Sequence, residues 1–127
     1  MIKIENVSKS FVKGKDVIKN LNLEIKDGEI FGFLGPNGAG KTTTLKMITG
    51  ILNSDIGDIF IDGKSIKKEP IQAKKQFGFV PDSPDMFLRL NGIEYLNFIA
   101  DIYEISKDEQ RSRIQGIPFV ISRNGRR

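Results

Sequence analysis

Apolar and polar positions alternate at the start of the chain. Ile2 and Ile4 are interleaved with Lys3 and Glu5, which predicts a short half-buried strand. Leu21, Leu23 and Ile25 alternate with Asn22, Glu24 and Lys26 in the same way, and Asp27-Gly28 then supplies a turn. Residues 29–34 (EIFGFL) break the alternation with a nearly unbroken apolar run, the pattern of a strand buried on both faces in a parallel sheet. A glycine-rich loop occupies residues 35–40. The spacing over 41–51 predicts a helix with Leu45, Ile48 and Ile51 inward.

Beyond it, residues 56–64 (IGDIFIDGK) predict a strand that closes in an Asp-Gly hairpin turn. Pro70 suits the first turn of a short helix reaching about Lys75. Residues 77–80 form another short apolar strand pattern, stopped by Pro81, and a loop with Pro81 and Pro84 follows. Asn91-x-x-Glu94 reads as a capping box, and Ile93, Leu96, Ile99 or Ala100, and Tyr103 recur at helical spacing behind it. Tyr95, Phe98, Ile102 and Tyr103 spread apolar character around that helix, and most of these side chains read as core. Ser106-x-x-Glu109 caps one more helix, which Gly116 and Pro118 end. Strands alternating with helices, after an early antiparallel hairpin, predict an α/β fold: a partial parallel sheet with helices and an N-terminal antiparallel β subdomain.

One segment carries explicit chemistry. Gly35-Pro36-Asn37-Gly38-Ala39-Gly40-Lys41-Thr42 is a complete G-x-x-x-x-G-K-[ST] phosphate loop, between an apolar run and a helical pattern as the motif requires. Phosphate oxygens must approach backbone N–H groups closely, which excludes Cβ atoms at Gly35, Gly38 and Gly40. The loop opens onto a helix N-terminus, whose free N–H groups and dipole favour an anion. Lys41 is placed for the β- and γ-phosphates and the Thr42 hydroxyl for Mg²⁺.

Composition narrows the chemistry further. The 127 residues include no Cys and no His, which excludes a disulfide scaffold, thiolate zinc sites and Ser-His-Asp hydrolysis. A net charge of +4 suggests an anionic polymer as partner until its location is examined. All 16 acids lie before residue 111, whereas residues 111–127 hold five of the six Arg and no acid. The body is nearly neutral, and no specific nucleic-acid partner is expected. No apolar run approaches the length of a membrane helix, so the expectation is a cytoplasmic chain.

Residues 2–52, with SKSF and LNLEIKDGEIFGFLGPNGAGKTTTLKMITGIL, and the later GDIFIDGK closely resemble the ATP-binding subunits of ABC transporters. Among these they look most like bacterial exporters of the antibiotic-resistance and bacteriocin-immunity kind, and the resemblance runs to about Ile114. It implies an ATPase that uses ATP and Mg²⁺, dimerises head to tail with a second ATP-binding subunit and drives a transmembrane permease from the inner face of the membrane. Phe11 falls where the family places an aromatic that stacks on adenine, and Val17 packs against the same base. The phosphate-binding stretch runs from Gly35 through Thr43. Asp82 stands where the family has the glutamine that senses the γ-phosphate and Mg²⁺, and a carboxylate is itself able to ligate Mg²⁺.

Other family features have no counterpart. The sequence contains no LSGGQ-like signature, no Asp-Glu after a later apolar strand and no switch histidine. The apolar strand pattern ending in Asp is Ile59-Phe60-Ile61-Asp62, and Gly63 makes that pair a hairpin turn. Residues 1–115 are therefore expected to form a partial nucleotide-binding domain. The Arg-rich stretch 116–127 is expected to reflect a change of reading frame near residue 115. On this reading the chain binds ATP without hydrolysing it alone, and its sheet edges and apolar faces are exposed. The alternatives are a non-catalytic, inhibitory partner of a full-length ATPase subunit and a non-functional truncated product. A small phosphate-loop kinase or GTPase fits less well, because NKxD and a basic lid are missing.

Overall fold

The computed structural model describes residues 1–36, 38, 40–80 and 90–117. The chain divides into two compact units, Met1–Phe79 and Val80–Arg127.

The first unit is built on an antiparallel sheet. Strands β1 (Ile2–Val12) and β2 (Lys15–Ile25) form a long hairpin, and β3 (Ile56–Ile61) pairs with the other edge of β1. The two-residue strand β4 (Lys64–Ser65) follows β3, giving the order β2-β1-β3-β4. Asp62 and Gly63, at φ 47° and 76°, make the predicted tight turn between β3 and β4.

Both hairpin strands are longer than their alternation predicts, and the reason is local. Ile4 and Val7 are both buried although three residues apart, so a simple strand would send them to opposite faces. Asn6, at φ 50°, forms a bulge that resets the alternation. Asn20, at φ 46°, does the same between Ile18 and Leu21 on β2. Side chains satisfy the backbone donors freed by these irregularities: Asn6 N–H donates to Asn22 Oδ1 at 2.9 Å, and Asn20 N–H to Ser8 Oγ at 2.9 Å. Gly57, at φ 77°, faces the β1 bulge so closely that a Cβ there would lie 2.3 Å from the Glu5 carbonyl oxygen.

Helix α1 (Lys41–Ile48) and the short helix α2 (Pro70–Lys74), with Pro at its start, complete this unit. Its core joins Ile4, Val7, Ile18, Ile59 and Ile61 of the sheet to Met47 of α1, Ala73 of α2 and Ile66. The predicted inward face of α1 is corrected. Thr44 and Met47 are buried and Ile48 packs against the core, whereas Leu45 and Ile51 are exposed. The helix stops at Ile48, and the orientation is set at its first turn, where Gly40 abuts Ile18.

Two further expectations fail. Residues 29–34 and 77–80 form no strand, and Ile30, Phe31, Leu34, Phe79 and Val80 are exposed. A strand apolar on both faces requires parallel neighbours, and every strand pair among the described residues is antiparallel. The α/β class stands, with the antiparallel subdomain formed and the apolar faces exposed as expected.

In the second unit, α3 (Gly92–Ile102) begins at the predicted capping box. Asn91 N–H donates to Glu94 Oε2 at 2.8 Å, and Glu94 N–H returns to Asn91 Oδ1 at 2.9 Å. α4 (Lys107–Gln115) is capped by the Ser106 hydroxyl, which accepts from Glu109 N–H at 3.3 Å. Asp101 ties the pair together through Lys107 Nζ and Gln110 Nε2, both at 2.7 Å. No α3 side chain is fully buried and Phe98 and Ile102 are exposed, so the core reading of those two side chains does not hold in this unit.

Candidate nucleotide site

The site is assembled where β2 meets the start of α1. Gly40, at φ 89°, caps α1 and is itself buried. A Cβ on it would lie 2.4 Å from Ile18 Cδ1 and 3.3 Å from the Val17 carbonyl oxygen. A side chain there would have to displace the tip of Ile18 and crowd the Val17 carbonyl, and the left-handed φ favours glycine as well. Thr44 then locks the first turn, its N–H and its hydroxyl reaching the Gly40 carbonyl at 2.9 and 2.8 Å.

No side chain caps the N-terminus of α1, and its first turn holds no acidic residue. The leading N–H groups of the helix are therefore available to an incoming anion, with the dipole favouring it. The Lys41 ammonium donates to the Gly35 carbonyl, linking the first glycine of the loop to the first residue of the helix. Gly35, Pro36 and Gly38 are exposed, and Gly38 is left-handed at φ 85° with open space where a Cβ would sit. The Thr42 side chain is exposed and that of Thr43 half-buried. This is a cationic helix end approached by glycines, able to receive phosphate oxygens.

Of the other predicted residues, Val17 is partly exposed and its carbonyl borders Gly40, so it belongs to the loop's surroundings. Phe11 lies near the tip of the same hairpin and is 60% exposed, with the Lys9 ammonium 5.5 Å from its ring centroid. An exposed aromatic is available to a flat ligand, whereas a core aromatic is not. Asn37, Ala39 and Asp82 lie outside the described residues. Sequence reasoning missed the packing of Gly40 on Ile18, for which no local signal exists. It also missed the Thr44 lock, which was legible as a hydroxyl one helical turn after the loop's last glycine.

A glycine loop, a lysine and an uncapped helix N-terminus together define a phosphate-loop nucleotide-binding protein. Residues 18–119 match the ABC transporter family. The chain belongs to that family, among its ATP-binding proteins.

It is 41% identical over 100 residues to the ABC transporter ATP-binding protein YhcH of Bacillus subtilis, covering 79% of this chain and 32% of that protein. Identity to the linearmycin resistance ATP-binding protein LnrL of the same organism is 39%, over 89% of this chain and 36% of the relative. Among solved structures, an ATP-binding subunit of an ABC transporter superimposes with a TM-score of 0.77 at 28% identity, over 86% of this chain and 45% of the other. A dimeric ATP-binding cassette bound to ADP and Pi superimposes at 0.74, with 28% identity, over 89% of this chain and 53% of the other. The chain thus spans about a third of the length of these two curated relatives and about half of the solved cassettes. No helix among the described residues is long and apolar enough to cross a membrane.

Proposed function

We propose that this chain binds ATP through residues 35–43 and is the nucleotide-binding portion of an ABC ATPase that energises export through a membrane permease. The observation that carries this reading is the uncapped, acid-free N-terminus of α1 beside the Lys41–Gly35 link. In use, the Lys41 ammonium leaves the Gly35 carbonyl for the β- and γ-phosphates, while backbone N–H groups of the loop and first turn hold the remaining oxygens. Phe11 stacks on the adenine and Val17 flanks it. Thr42, an exposed residue on the first turn, offers a hydroxyl that suits a hard cation, and Asp82 adds a carboxylate oxygen. Mg²⁺, when bound there, neutralises triphosphate charge.

Hydrolysis needs more than this cradle, since a second carboxylate must position the attacking water. The sequence has no Asp-Glu after an apolar strand for this step, and on this reading the chain alone binds ATP without turning it over. In the assembled transporter it would pair head to tail with a second ATP-binding subunit and lie against the permease at the inner membrane face. Titration of the purified chain with ATP and Mg²⁺ tests the reading. Lys41→Ala should weaken binding at least about tenfold while leaving the melting curve in place. Mg-dependent turnover by the wild-type chain, lost in Lys41→Ala, would overturn the non-catalytic part.

The exposed apolar run at Ile30, Phe31 and Leu34 favours a second reading, in which the chain docks on a full-length ATPase subunit as a non-catalytic partner. Co-purification with such a subunit supports it, and failure to retain one counts against it.

A further inference from the structure

Asp55 belongs to no motif, yet it holds the strand that carries Phe11. Its N–H donates to the Ser8 carbonyl at 3.0 Å, its Oδ2 accepts from Ser10 N–H at 2.7 Å, and its Oδ1 accepts from Lys9 Nζ at 2.9 Å. One residue just before β3 thus grips the three positions of β1 that lead to Phe11. Lys9 is the link to the ring: its side chain is only 13% exposed, and its ammonium sits 5.5 Å from the Phe11 centroid. An exposed cation–π contact is weaker than the entropy lost when a lysine side chain is fixed, so the ring alone cannot hold the ammonium there. A charge-assisted hydrogen bond supplies the difference.

We infer that Asp55 is a positioning residue for the nucleobase: by fixing Lys9 against one face of Phe11, it presents the other face as a stacking platform for a purine. This rests on the proposed role of Phe11. A cation on one face draws π density toward itself, leaving the opposite face better suited to the electron-rich surface of a purine. The Lys9 hydrogen bond, and next the Ser10 N–H, hold the Asp55 carboxyl below the usual carboxylate range, with Lys67 contributing in the same direction. The Asp55 carboxyl is therefore ionised at neutral pH.

The test is equilibrium binding of ATP, CTP and inorganic tripolyphosphate, each with Mg²⁺, to the full chain and to Asp55→Asn, Asp55→Glu, Lys9→Met and Phe11→Ala. Asp55→Asn and Lys9→Met are expected to weaken ATP about fivefold and to narrow the preference for ATP over CTP, with tripolyphosphate unchanged. Asp55→Glu should recover most of the loss, and in the Phe11→Ala background Asp55→Asn should have no further effect. Equal losses for ATP and tripolyphosphate would mean a merely structural role and overturn the inference, as would unchanged ATP binding in both Asp55→Asn and Lys9→Met. If Asp55→Asn does not fold, Lys9→Met decides alone. A wild-type chain that binds neither ATP nor tripolyphosphate removes the proposed function itself, and the inference with it.

Discussion

Residues 56–61 (IGDIFI) and 29–34 (EIFGFL) have the same make-up, four apolar side chains, one glycine and one acid in six positions. The first is β3, with Ile59 and Ile61 each 3% exposed. The second forms no strand, and Ile30 and Leu34 stand fully in solvent. Hydrophobicity is thus not what separates them. β3 finds β1 on one side and, after a two-residue turn, β4 on the other, and antiparallel partners of that kind need little intervening chain. A parallel strand depends on partners reached by crossovers of a dozen residues or more, and the described residues supply none.

The largest break in this comparison should come from Gly57→Ala. The new Cβ would meet the carbonyl oxygens of Glu5 and Asn6 at 2.3 and 2.4 Å, and φ 77° is already strained for alanine. Both obstacles are backbone, so neither can swing aside. A loss of more than about 3 kcal/mol is expected in urea unfolding, and a variant within 1 kcal/mol of wild type would show that β3 does not depend on this bulge.

A pair of substitutions sharpens the contrast at intermediate cost. Ile4→Ala removes a side chain that is 2% exposed and should cost about 2–4 kcal/mol. Ile30→Lys, in the run that has no partners, should change stability by less than about 0.5 kcal/mol and reduce self-association in light scattering. Comparable losses at the two positions would mean that residues 29–34 are packed after all.

The smallest effect concerns the helical unit, where a charged clamp does what the sheet achieves by burial. Lys107, and next Gln110, hold the Asp101 carboxyl below its usual range. A carboxyl whose pKa is lowered on folding binds its proton more readily when unfolded. The clamp's contribution is therefore complete above about pH 4 and disappears as the pH falls through the lowered value. Protection of the α4 amides, taken relative to their intrinsic exchange rates, should fall over that interval, and Asp101→Asn should flatten the dependence. An unchanged acid profile in the variant would remove the clamp from the account.

Legibility followed the range of the interactions involved. The capping box at Asn91, the Ser106 cap, the Asp62-Gly63 turn and Pro70 at the start of α2 are local codes, and each appears where its residues predict. The middle of the β1–β2 hairpin was hidden because the bulges at Asn6 and Asn20 shift the alternation by one residue, which a period-two pattern reads as an end. The face of α1 was misjudged for a related reason. Leu45 is the more apolar residue, but the fit of Gly40 against Ile18 turns Thr44 and Met47 inward.

The sequence by itself determined the helix starts at Lys41, Pro70, Asn91 and Ser106 and the turn at Asp62-Gly63, because these depend on residues a few positions apart. The tertiary structure decided which apolar runs become strands, which face of α1 is buried and how Asp55 reaches Lys9 and Ser10, 46 and 45 residues away. Those outcomes depend on what packs alongside, and a pattern read along one segment does not contain its neighbours.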